Sequence, residues 1–129
     1  MAAVDFESAS SAAPMPGSPS TPVDLVHLRR FTMGDKALEQ EILGLFIDQL
    51  PITIGALRGA QTPKEWGMAA HTLKGSARAV GAWHLATIAE SAERLAPLPG
   101  KAERGQLVQQ LEEATGAVRT YIADLSKAA

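Results

Sequence analysis

Between residues 38 and 57 the apolar side chains Leu38, Ile42, Leu45, Phe46, Leu50, Ile54 and Leu57 recur at steps of three and four. That interval gathers them along one side of an α-helix but scatters them over both faces of a strand, so the segment must be a helix with one buried stripe. Leu107, Leu111, Ala114, Val118, Ile122 and Leu125 repeat the pattern near the C-terminus, with alternating steps of four and three that suit left-handed bundle packing. Two such stripes need other helices to cover them, and nothing in the chain alternates as a strand does. The expected fold is all-α: an antiparallel up-and-down four-helix bundle with a short additional N-terminal helix.

At 129 residues the chain is one domain by size. Residues 1–20 are dominated by Ala, Ser and Pro without periodicity and read as a disordered tail, leaving 21–129 as the folded domain. Thr21 at N-cap, Pro22 at N1 and Asp24 at N3 form a start signal. The short helix it opens reaches about Phe31, with Leu25, Leu28 and Phe31 inward and His27, Arg29 and Arg30 on the wet side. Gly34 and Asp35 open the long helix, in which Pro51 predicts a kink near residues 47–51 rather than a stop. Arg58 to Gln61 closes it. Thr62, Pro63 and Glu65 form a capping box, and Gly81 is placed to end the helix it starts. A fourth helix spans about 82–96, with Leu85, Ile88, Ala89, Ala92 and Leu95 inward. After the break at Pro97-Leu98-Pro99-Gly100 the last helix runs over about 101–126.

Several function classes fall away on composition. With 12 basic and 14 acidic residues the chain lacks the charge excess of a nucleic-acid or membrane-surface binder. It has no cysteine, hence no disulfide framework, thiol nucleophile or Cys-based zinc site. Asp5 and Glu7 stand where a signal peptide would be basic, and no run approaches the roughly 18–20 apolar residues of a membrane span. A cytoplasmic protein is expected.

The third helix carries the one isolated reactive side chain. At about 100° per residue, Trp66, Ala69, Ala70, Leu73, Ala77 and Val80 share one arc. Lys64, Gly67, His71, Lys74, Gly75 and Arg78 share the opposite one, with His71 near its middle. Gly67 and Gly75 lie one turn either side of the imidazole, where a bulky residue would crowd it. Each glycine costs the helix roughly 1 kcal/mol relative to alanine, which points to a surface kept bare for a partner.

An exposed imidazole can bind metal, move protons or act as a nucleophile. The three histidines, His27, His71 and His84, form no i,i+4 pair, so no metal site is expected. A convex helix face makes no substrate pocket. A nucleophile loaded by another protein needs neither, and Lys74 and Arg78 on the same face suit a phosphoryl group. The chain has no phosphate-cradling glycine loop and no acidic cluster for Mg²⁺, so donor and metal must be borrowed. That describes a shuttle, not a kinase.

His71-Thr72-Leu73-Lys74-Gly75, followed by Gly81 and Leu85, closely resembles the histidine-containing phosphotransfer (HPt) domain of bacterial and fungal phosphorelays. The resemblance spans most of the 21–129 segment, including the long helix with Phe46 and its proline and the following helix with Glu93. It implies that His71 is the phosphoacceptor, that Lys74 lies by the phosphoryl group and that Gly75 lets a receiver domain approach. It also implies that the partners are receiver domains of a hybrid histidine kinase and a response regulator, whose aspartyl phosphate and Mg²⁺ do the catalysis. The chain would then be a stand-alone, monomeric phosphocarrier with no cofactor and no independent catalytic site. At the position of Glu93 the family holds Gln or Glu, whose side chain can fix the imidazole tautomer; here it can equally pair with Lys74 or Arg94.

Around this centre some roles stay open. Arg78 is either a phosphate contact or a solvated cation, and Gly67 either clearance or a small residue at a helix crossing. Met68 is a candidate for a docking patch. Trp66 reads as a wedge between helices, Trp83 and His84 as packing or surface. The competing functions are a non-catalytic helical adaptor for receivers or kinases, which would survive loss of the imidazole, and a metal-binding bundle.

Overall fold

Helix-forming stripes and caps divide the chain into five helices: α1 (Leu25–Thr32), α2 (Lys36–Gly59), α3 (Pro63–Val80), α4 (Trp83–Arg94) and α5 (Lys101–Ala128). The computed structural model describes residues 21–95 and 97–128, and no strand occurs among them. The tail expected at 1–20, and Ala96 at the expected end of α4, lie outside the described residues. In the all-α fold, α2 packs on α3 and α5, α4 packs on α3 and α5, and α1 lies across α2 and α3. The shared core includes Leu43, Phe46, Leu50, Leu57, Trp66, Leu73, Leu85 and Leu111.

Long-range polar contacts fix the helix ends. Arg104 of α5 donates to the carbonyls of Arg58 and Ala60, at 3.0 and 2.6 Å, where the end of α2 leaves them unpaired. Its guanidinium also lies 5.5 Å from the ring centroid of Trp66. Arg29 and the buried Glu39 tie α1 to α2 at 2.8 Å.

The first helix departs from the sequence reading. Asp24, not Thr21, is the N-cap, because its carboxylate accepts from the His27 backbone N–H and also from the Trp83 indole N–H. Phe31 is 64% exposed, and Leu28 and Thr32 hold the inner face instead. His27 is not on the wet side: its ring meets Trp83 edge-on at 4.9 Å and Phe31 at 5.5 Å.

Helix α2 runs through Pro51 without a stop, but its buried stripe is Leu43, Phe46, Leu50, Ile54 and Leu57 together with Glu39. Leu38 and Leu45, read as core, are 38% and 60% exposed. They lie on a flank about 120° round from the buried stripe, on one line with the exposed Ile52. Apolar residues on both stripe and flank make α2 long and apolar enough to cross a membrane by length and composition alone. That corrects the sequence count of apolar runs. The buried stripe is nevertheless that of a core helix.

Candidate functional site

The site is built on α3, and α3 is fixed at both ends by its own sequence. The Thr62 hydroxyl accepts from the Glu65 N–H at 3.1 Å, Pro63 occupies the first turn, and the Glu65 carboxylate accepts from the Gln61 N–H at 2.8 Å. At the other end Gly81 turns left-handed at φ 83°, and Ala82 N–H reaches the Ala77 carbonyl at 2.8 Å. Gly81 is required twice, since a Cβ there would also sit 2.8 Å from the Asp24 carbonyl oxygen. The backbone of Asp24 donates to Gly81 O at 2.9 Å, so α1 begins where α3 ends.

The inner arc of α3 is Trp66, Ala69, Ala70, Leu73, Ala77 and Val80, as its periodicity predicts. α3 packs on α4, and alanines lie on the buried face of each: Ala69, Ala70 and Ala77 on α3, and Ala86, Ala89 and Ala92 on α4. Small residues on both sides let the two backbones approach closely. The Trp66 indole N–H donates to the Ala92 carbonyl at 2.8 Å, pinning α4 one residue before Glu93. Sequence reasoning missed this tie; its signal was a buried indole, which has to find an acceptor.

His71 stands on the outer arc with its side chain 71% exposed. Glu93 reaches over from α4 and spends one oxygen on each neighbour: Oε2 lies 3.0 Å from His71 Nδ1 and Oε1 lies 2.6 Å from Lys74 Nζ. Glu93 thus contacts both the imidazole and Lys74, while Arg94 pairs with Glu90 instead. Hydrogen bonds from Lys74 first, and His71 second, hold the Glu93 carboxyl below its usual range. An ionised carboxylate only accepts, so the proton of the neutral ring belongs on Nδ1 and the lone pair on Nε2. Nε2 has no protein partner among the described residues.

The remaining candidates surround this triad. Arg78 faces Glu90 at 3.8 Å, and Arg94 pairs with the same carboxylate at 3.0 Å. Lys64 is exposed and Met68 is 61% exposed. A Cβ built on Gly67 or Gly75 would meet nothing within 4 Å, so both flanks of the imidazole are open. Along the α2 side runs a groove lined by Gln49, Ile52, Thr53, Ala56, Met68 and Thr72. Ile52, 65% exposed, is the large apolar residue there that the sequence reading did not single out. The signal was the seven-residue spacing of Leu38, Leu45 and Ile52. Among the described residues no three His, Asp or Glu side chains gather as metal ligands would.

Residues 41–128, more than half of the chain and all of α3 and α4, match the family model described as the Hpt domain. The chain belongs to the Hpt domain family. No curated protein and no solved structure gives a significant match. Membership connects this Hpt domain to phosphotransfer in two-component signalling, and such domains interact with receiver domains of kinases and response regulators.

Proposed function

We propose that His71 is the phosphoacceptor of a carrier that moves a phosphoryl group between receiver aspartates, from a hybrid histidine kinase to a response regulator or back. The observation that carries this reading is the outward imidazole held at Nδ1 by Glu93, with Nε2 unpartnered. The Nε2 lone pair forms the bond to phosphorus as the bond to the aspartyl oxygen breaks, and that electron pair stays on the receiver carboxylate. Receiver-bound Mg²⁺ and the receiver's own residues supply catalysis, since phosphoryl transfer is largely positioning and electrostatics. Lys74 offsets charge on the phosphoryl group. Arg78 and Lys64 add positive potential at the rim.

Gly67 and Gly75 leave room for the receiver, and the groove bearing Ile52 and Met68 offers it apolar contact. The short links between α2, α3, α4 and α5 favour an antiparallel four-helix bundle, with α1 as the additional helix. A monomer working in the cytoplasm suits such a carrier.

Incubation with a labelled, phosphorylated receiver tests the reading. The chain should acquire acid-labile, base-stable label, and His71→Gln should abolish it with helix content unchanged by circular dichroism. Should His71→Gln bind receivers and signal normally, the chain is instead a non-catalytic adaptor.

A further inference from the structure

We propose that Glu93 keeps the Nδ1 proton on His71 throughout the transfer cycle, so that the phosphoryl group comes and goes without proton exchange with solvent. The inference rests on His71 being the acceptor and follows from how the carboxylate divides its oxygens. When Nε2 of a neutral, Nδ1-protonated ring attacks phosphorus, the product ring is a cation. In water a phosphorylated imidazole loses that proton readily. The neutral product then has a bare nitrogen at Nδ1, and on the return step its leaving group would be an imidazolate that must be reprotonated. If the proton stays, the P–N bond pair returns to Nε2 of a neutral imidazole, which is much the better leaving group.

Glu93 Oε2 lies 3.0 Å from Nδ1 and would face a bare lone pair if the proton left. Two acceptors in contact repel, and a negative oxygen favours the ring cation. Lys74 makes the arrangement workable. It holds the other oxygen, Oε1, and can swing to the incoming phosphoryl group without disturbing the Oε2 contact.

Most of the other charged groups near α3 are occupied. On α4, Glu90 is shared by Arg78 and Arg94. From α2, the groove beside His71 presents Gln49, Ile52, Thr53 and Ala56, none of them charged. Asp24 and Arg104, from α1 and α5, are bound to Trp83 and to the α2 carbonyls. Lys64, exposed on α3 itself, is a further cation that opposes proton retention. Glu93 is therefore the one carboxylate in contact with the ring among the described residues.

Glutamine at this position reverses the logic. Its amide N–H can donate to a bare Nδ1, so Glu93→Gln should stabilise the deprotonated, slower-leaving phosphohistidine. The full chain, loaded with ¹⁵N-histidine and phosphorylated with phosphoramidate, tests this by NMR at pH 8. In the parent protein phosphorylated His71 should keep Nδ1–H. In Glu93→Gln it should lose that proton, with a phosphohistidine lifetime and return-transfer time to a receiver longer by about tenfold. Lys74→Gln, which leaves both oxygens to the ring, should retain the proton; a merely structural role for Glu93 would shift both variants alike. Equal Nδ1 protonation and equal lifetimes in parent and Glu93→Gln overturn the inference while leaving His71 as the acceptor. Failure of the parent to take label at His71 overturns both.

Discussion

Glu93 is the residue on which the chemistry of the site converges, because its two oxygens serve His71 and Lys74, which sequence alone leaves a turn apart. Its depressed pKa is owed first to the Lys74 hydrogen bond and second to His71. A carboxyl shifted this way stabilises the cluster when ionised. The contribution is full above its ordinary value of 4.5 and is lost as pH falls through the lower folded value. Carboxyl ¹³C titration should therefore place the Glu93 midpoint below 4.5 in the parent protein. Lys74→Gln should return it most of the way and His71→Gln less far. An unchanged midpoint in Lys74→Gln would remove Lys74 as the main cause. At this scale the sequence was legible only in part. His71 and Lys74 follow from helix periodicity, whereas the contact with Glu93 crosses between helices and was suggested by family resemblance alone.

At the scale of the element, α3 was readable from end to end because its start and stop are written in local chemistry, the Thr62 box and Gly81. α1 was misread for the same kind of reason: Thr21-Pro22 is a sound local start signal. It loses to Asp24, whose acceptors serve both its own helix and Trp83. In α2, leucine at 38 and 45 looks like core, and only the positions of the helices packed on α2 decide which flank stays open. Gly75 gives the sharpest test of an element built for access. With open space around its Cβ position, Gly75→Ala should raise stability by about 0.5–1 kcal/mol, since glycine is the weaker helix former. Gly75→Phe should fold equally well and take phosphoryl groups from phosphoramidate, yet receive them from a receiver at least several-fold more slowly. If receiver transfer is unaffected, the glycine is not clearance for a docking domain.

For the whole molecule, the decisive junction is Asp24, where α1, α3 and α4 meet. Its carboxylate accepts from His27 N–H at 3.1 Å and Trp83 Nε1–H at 2.9 Å, while its own N–H binds Gly81 O at 2.9 Å. Burial alone would push this carboxyl up, but the Trp83 bond and then the His27 contacts outweigh it, and the net shift is downward from 3.8. Ionised Asp24 thus stabilises the fold at neutral pH, and that contribution fades only as pH drops below the usual carboxylate range. Asp24→Ala removes a helix cap, worth about 1 kcal/mol, and strands the Trp83 indole at a further cost of about 1–3 kcal/mol. Thermal unfolding at pH 7 should show a midpoint lower by roughly 10 °C, at the several degrees per kcal/mol typical of a domain this size. The deficit should shrink only as pH falls below 3.8, toward the lower value at which the parent loses the same charge. The site itself, held by the Trp66–Ala92 bond and the α3–α4 contact, lies away from this junction. Below the unfolding temperature Asp24→Ala should therefore still accept label at His71, and loss of labelling in the folded variant would show that α1 does more than brace the bundle.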